Sequence, residues 1–194
     1  MRSAVIERKT NETNIKLVLE LDGQGKLRGT SGIGFFDHML TALCKHAHFN
    51  LQVEMSGDLV VDGHHTVEDL GLCLGQAFNE ALGDKIGIRR FGTALIPMDE
   101  SLAQAVIDIS GRPFLHFDAP LAAGMLGTFD LELVEEFFRA LSNEAKLTLH
   151  LHLLYGSNSH HKVEALFKAV ARALAQAVSI DEKETGVPSS KGVL

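Results

Sequence analysis

One pattern is written twice in this chain, and the repetition narrows the folds open to it. Residues 64–69 read HHTVED and residues 160–165 read HHKVEA, each a pair of adjacent histidines with a glutamate three residues on. Behind each copy runs an apolar stripe: Val67, Leu70, Leu74, Phe78 and Ala81 after the first, Val163, Leu166, Phe167, Val170, Leu174 and Val178 after the second. Three-to-four spacing is one face of a helix, so both histidine pairs fall in a first turn. There Glu68 shares a face with His64 or His65, and Glu164 with His160 or His161. Neighbouring side chains are splayed by roughly 100° around the axis, so each pair should reach in two directions.

The repeat extends beyond the motif. Residues 4–9, 14–21 and 26–33 read as strands with a turn at Asp22–Gly25, a helix begins at Phe35, and residues 50–55 and 58–61 supply another strand or hairpin. Asp62 is a candidate N-cap for a helix running to about Gly83. In the second half, strands at 91–96 and 102–109 are punctuated by Pro97-Met98-Asp99-Glu100, and a strand at 114–118 follows. A helix over Leu131–Leu141, an alternating strand at 147–154 and a helix capped by Asn158-Ser159 complete it. Superposed, Glu12-Thr13 falls opposite Glu100-Ser101, Gly23 opposite Gly111, and His38 on Glu136. The expected fold is α+β and internally duplicated: two similar units of mostly antiparallel sheet, each with two helices packed on one face. The units span 1–88 and 89–182 with a tail at 183–194, in one compact domain overall.

Composition excludes several classes of function. A net charge of −7 argues against a nucleic-acid surface. Cys44 and Cys73 are the only cysteines, each in an apolar helical pattern, and read as reduced core thiols. No apolar run approaches membrane length and the N-terminus lacks a signal-peptide pattern, which points to a cytoplasmic protein without a membrane partner. Ten histidines is the one count that points at chemistry.

The ligand-capable side chains are His38, His64, His65 and Glu68 from the first half and Glu136, His160, His161 and Glu164 from the second. Eight nitrogen and oxygen donors without a thiolate exceed the needs of one ion, so two metal sites are expected. Sets of three or four such donors with open positions suit Mn²⁺, Fe²⁺ or Zn²⁺. Such a centre could hydrolyse a substrate, act as a Lewis acid on a coordinating ligand, or simply store metal. Storage has no need of Arg90, Arg112 and a lysine-bearing tail.

FFDHML, DGHHTVEDLG and NSHHKVEALFKA, in that order, with IRRFG, PMDES, SGRP and the tail PSSKG, resemble the imidazoleglycerol-phosphate dehydratases over nearly the whole chain. The resemblance implies a lyase of histidine biosynthesis with two Mn²⁺ per active site, taking imidazole glycerol phosphate to imidazole acetol phosphate. It implies that the substrate ring is held between the metals as imidazolate and expels a hydroxyl through a diazafulvene. It also implies a homo-oligomer of 24 subunits with active sites between neighbours. His38, His64, His65, Glu68, His160, His161 and Glu164 then match metal ligands or their direct neighbours, and Glu12 matches an acid or base at the active site. Glu68 and Glu164 could double in proton transfer. Arg90, Arg112, Lys168, Ser190 and Lys191 are the expected phosphate contacts, because a dianion needs several charge-assisted donors, and His46 matches a position near the substrate. Two positions depart from some relatives: Glu136 stands where several carry histidine, and Ala42 where some carry glutamine. A glutamate still ligates Mn²⁺ and, as a harder donor, biases a site toward it. His150 and His152 share one strand face with Thr148 and read as plain surface or interface, and His116 reads as structural.

Overall fold

The computed structural model describes residues 2–194. The first half runs β1 (Ser3–Lys9), β2 (Thr13–Glu20), β3 (Lys26–Gly29), α1 (Gly34–Ala47), β4 (Asn50–Gly57) and α2 (His64–Leu82). The second repeats the order with β5 (Phe91–Met98), β6 (Ser101–Asp108), β7 (Phe114–Asp118), a short hairpin β8 (Met125–Leu126) and β9 (Phe129–Asp130), then α3 (Leu133–Ala145), β10 (Thr148–Tyr155) and α4 (Ser159–Val178). The two sheets have matching orders, β1-β2-β4-β3 and β5-β6-β10-β7. In each, the last pair is parallel and the others antiparallel. The helix α1 or α3 supplies the long crossover that a parallel pair requires. The duplicated α+β reading of the sequence is therefore the observed architecture.

Alternation decides which sheet face meets the helices. Ile15, Leu17 and Leu19 of β2, Leu51 and Val53 of β4, Ala103, Ala105 and Ile107 of β6, and Leu149, Leu151 and Leu153 of β10 are all buried. The intervening residues face out, as a period of two demands. Each helix finds its main helical partner in the other half: α2 packs on α3, and α1 on α4. The four helices thus lie between the two sheets around one continuous core. Phe36 of α1, Phe137 and Phe138 of α3 and Phe167 of α4 interlock there, with ring centroids 4.8–5.4 Å apart. Cys44 and Cys73 are buried free thiols in this layer, and burial pushes them up to about 12 and about 11.

Three local expectations are corrected. The third strand ends at Gly29 because Asp37, in the first turn of α1, gathers Thr30 and Ser31 into a turn: Thr30 Oγ1 donates to Asp37 Oδ2 at 2.5 Å, and Ser31 N–H and Oγ–H donate to Oδ1, each at 2.7 Å. Residues 58–61 form a turn closed by Val61 N–H to the Asp58 carbonyl at 2.8 Å, so no strand lies there. Pro97 and Met98 belong to β5, and the reversal is Asp99-Glu100, with Asp99 at φ 48°. Asp62 does accept from the His64 N–H at 2.8 Å, although the capping position itself is Gly63.

The approach of α2 to α3 depends on two glycines. An added Cβ at Gly71 would lie 2.9 Å from the Phe137 carbonyl oxygen, and one at Gly75 only 2.6 Å from that of Leu141. Gly75→Ala is therefore expected to destabilise the protein by about 1–3 kcal/mol through overpacking, despite the roughly 1 kcal/mol that alanine gains in helix propensity. Gly34→Ala, at a helix position with nothing within 4 Å, should be neutral or stabilising. Denaturant unfolding of both variants at equal concentration checks the contrast.

Candidate metal centre

Because α1 crosses α4, His38 of the first half meets the second motif. His38 Nε2 lies 3.7 Å and His160 Nε2 3.2 Å from Glu164 Oε2. One donor atom from each of the three lies within 4.8 Å of the others, a span that one ion can close. The Phe35 ring packs edge-on against both imidazoles, at 6.3 and 5.1 Å, and walls one side. Glu164 Oε1 is held by Lys168 Nζ at 2.6 Å. Burial pushes this carboxyl up, but the Lys168 ion pair and the two histidines outweigh it and hold the pKa below the usual range.

The packing of α2 on α3 builds a looser counterpart. His64 Nε2 is 3.8 Å from Glu68 Oε2, and Glu136 lines with His64 an open pocket of about 680 Å³. Among the described residues these three do not close to a single ion's span. Leu72 stands where the first cluster has Lys168, so the ion pair of that cluster has no counterpart here.

The second histidine of each pair turns elsewhere. The rings of His64 and His65 are nearly perpendicular at 89°, and those of His160 and His161 stand at 77°. His65 Nδ1 bonds Asp58 Oδ2 at 2.9 Å and its Nε2 lies 3.7 Å from Glu12. His161 Nδ1 bonds Glu100 Oε2 at 2.7 Å and its Nε2 lies 3.7 Å from Asp99. Those hydrogen bonds, to Asp58 and Glu100 respectively, raise both imidazoles above the ordinary value. An imidazole whose Nδ1 is fixed by a carboxylate has its Nε2 oriented for a ligand, as in histidine sites with an outer carboxylate. Among the described residues Asp58 Oδ1 is buried without a hydrogen-bond partner.

Glu12 and Glu100, opposite each other in the repeat, have different duties. Glu100 Oε1 accepts the N–H groups of Asn158 and Ser157 at 2.8 and 3.1 Å; the Asn158 bond first, then the His161 imidazole and the Ser157 bond, hold its carboxyl well below the usual range. Glu12 makes no comparable bonds and its side chain is 51 % exposed. Its loop is fixed from beneath by Asp69, a buried carboxylate that accepts from Arg8 Nε at 3.0 Å and from the Thr13 hydroxyl.

The remaining sites fall in two places. His46, in the last turn of α1, is lowered by burial and then by the Lys168 and Arg172 cations, so it continues the α1/α4 seam beyond His38. Arg90 is paired with Asp108 at 2.7 and 3.1 Å and donates from Nη1 to the Pro188 carbonyl at 2.9 Å, which holds the tail against the start of β5. Arg112, 68 % exposed, adjoins the same Asp108, and Ser190 and Lys191 are exposed on the tail. Lys168 Nζ, by contrast, touches Met98 Sδ at 3.4 Å, at the far end of β5. Eight strand residues separate these ends by about 25 Å. The chain thus brings Lys168 to the His38, His160 and Glu164 cluster and leaves Arg90, Arg112, Ser190 and Lys191 in a separate basic group. Asp58, Asp69 and Arg172 had no signal in the sequence pattern; Glu100 did, through its place opposite Glu12.

The donor sets are imidazole and carboxylate only, which fits Mn²⁺ and equally other divalent ions of borderline to hard character. A sequence model of the imidazoleglycerol-phosphate dehydratases matches residues 31–174. The chain belongs to that family. It is 55 % identical over 193 residues to the dehydratase of Moorella thermoacetica, covering 100 % of this chain and 98 % of that protein. The Gluconobacter oxydans dehydratase is 57 % identical over 194 residues, covering 100 % and 98 %. Among solved structures, the dehydratase of Staphylococcus aureus superposes with a TM-score of 0.84 at 43 % identity, over 92 % of this chain and 99 % of that one. The Pyrococcus furiosus enzyme in complex with (S)-C348 gives 0.83 at 34 %, over 97 % and 100 %. Dehydratase membership places the chain among the hydro-lyases and accounts for the order of its motifs from FFDHML to NSHHKVEALFKA.

Asp69 is the buried support of this dehydratase's Glu12 loop. Asp69→Asn is expected to cost about 1.5 kcal/mol, the lower end for hydrogen bonds to a charged group, because Arg8 keeps part of its hydration. Lys16→Gln, which breaks the solvent-exposed pair with Glu7, should leave the unfolding midpoint unchanged.

Proposed function

We propose that this chain dehydrates imidazole glycerol phosphate to imidazole acetol phosphate in L-histidine biosynthesis, using two Mn²⁺ per active site in a homo-oligomer of 24 subunits. Family membership supports the reaction, and one geometric fact supports its chemistry: His38, His160 and Glu164, from opposite halves, converge on a span that fits an ion. The subunit number rests on the resemblance. A cytoplasmic setting belongs to the same proposal; among the described residues no helix is long and apolar enough to cross a membrane.

In this reading His38, His160 and Glu164 hold one ion, and His64, Glu68 and Glu136 contribute to the other. His65 and His161, splayed out of both clusters and oriented by Asp58 and Glu100, complete the coordination of sites that lie between subunits. When bound, the ions held by these residues would supply Lewis acidity to the substrate ring and so favour loss of the hydroxyl beside it. Glu12 moves the proton of the middle carbon: its carboxylate stands beside His65, has no hydrogen bond among the described residues and is open to a ligand. Glu68 and Glu164 assist in proton transfer. Lys168 meets the phosphate of a substrate seated on the first cluster, with His46 beside it along the seam. Arg112, Ser190 and Lys191 reach the phosphate from a neighbouring subunit, with Arg90 fixing the tail that presents them. This division follows from the roughly 25 Å between the basic group and Lys168, more than so small a substrate spans.

Offering imidazole glycerol phosphate to the Mn²⁺-replete protein should yield the ketone, chelation should abolish product, and added Mn²⁺ should restore it. Absence of product from the replete sample would overturn the reading. His65→Ala should lose most activity, whereas His152→Ala retains it. Sites shared between subunits make a further prediction: co-assembled His65→Ala and His160→Ala chains, each inactive alone, should recover part of the wild-type rate. Mixed assemblies that stay as inactive as either parent would show that sites are completed within one chain.

A further inference from the structure

The outer face of the second sheet carries a second group of metal-ligating side chains that the dehydration does not use. His150 and His152 point away from the helices on β10, and the parallel pairing with β7 sets His116 beside His150 and Asp118 beside His152. His116 is exposed. Its ring centroid lies 5.3 Å from His150 and 5.1 Å from His152, and His152 Nδ1 is 3.4 Å from Asp118 Oδ2. Donor atoms of His116, Asp118 and His152 all fall within 4.8 Å of one another.

The duplication provides an internal comparison. The same frame in the first half pairs Arg28 with Gln52, and Gln52 donates to Glu54 at 3.0 Å, an ordinary solvated surface. The scaffold therefore has no need of imidazoles at these positions. Neutral imidazoles beside a carboxylate are the forms that bind metal.

We propose that His116, Asp118 and His152 form a binding site for a borderline divalent transition cation such as Zn²⁺, separate from the catalytic ions and facing away from them. Two nitrogens and one oxygen from adjacent, hydrogen-bonded strands leave a fourth position open to water, to His150 or to an external ligand. Donors around a tetrahedral zinc stand about 3.3 Å apart for bonds of about 2.0 Å, so a side-chain rotation of the exposed His116 closes the set.

Metal-depleted wild-type protein and the double variant His116→Ala, His152→Ala are equilibrated with Zn²⁺, freed of excess, and assayed for bound metal per chain. The variant should hold one equivalent less, while its Mn²⁺-dependent dehydratase rate and unfolding midpoint match the wild type. Asp118→Asn, a nearly isosteric change, should weaken the same equivalent by at least the roughly 10–100-fold that loss of an outer-sphere partner costs. Equal Zn²⁺ content and affinity in wild type and both variants would overturn the proposal, whatever the outcome for the dehydration.

Discussion

Everything at the candidate active site depends on helices packing across the duplication. If α1 lay on α2, His38 would stand apart from the second motif, and each half would carry an incomplete ligand set. Instead α1 lies on α4 and α2 on α3, so each cluster combines a residue from one half with the histidine and glutamate of the other. The same contacts form the centre of the core, where Phe36, Phe137 and Phe167 interlock. Folding and assembly of the donor sets are therefore one event. Interiors packed to crystal-like density tolerate little displacement, and this gives the ligands their placement without dedicated loops.

The duplicated frame is symmetric, but its chemistry is not. Glu136 stands for His38, Leu72 for Lys168, and Ala165 for Asp69. The cluster that contains Lys168 is closed and internally neutralised, while that of His64, Glu68 and Glu136 is open beside a pocket. Glu100 is bound to the N-terminus of α4 by two backbone N–H groups, whereas Glu12 sits on a loop anchored through Thr13 and Asp69, its own carboxylate left exposed. One glutamate of the pair has become a brace and the other is available for proton transfer. A duplicated protein that binds an asymmetric substrate has reason to differentiate its halves in this way.

Much of this was legible in the residues, for physical reasons that differ by level. Period-two strands such as Thr148–Tyr155 and the Asn158 cap of α4 are local, and local patterns speak directly of local structure. The splay of adjacent histidines follows from helix geometry alone. The end of β3 at Gly29 was hidden because Asp37, several residues on, captures Thr30 and Ser31. The hairpin at Met125–Asp130 was hidden because its strands are two residues long, although it delivers the fully buried Phe129 against Phe35 and Phe36. The partners Asp58 for His65 and Arg172 for His46 are tertiary, and no spacing in the chain announces them.

Charge provides the last constraint. A chain of net charge −7 that takes a phosphate dianion must concentrate positive charge locally, against its overall field. It has two means of doing so on this reading: the metal ions with Lys168 at one end of β5, and the basic group of Arg90, Arg112 and the tail at the other. Arg90, paired with Asp108 and donating to the Pro188 carbonyl, shapes that basic end. Arg112 and Lys191 stand exposed beside it, and in the proposed reading they serve a neighbouring subunit. Local charge that is divided between two distant ends of one chain is economical only if chains associate so that unlike ends meet. In the proposed reading, therefore, the separation along β5 is bridged by a neighbouring subunit that brings its basic end to the Lys168 end.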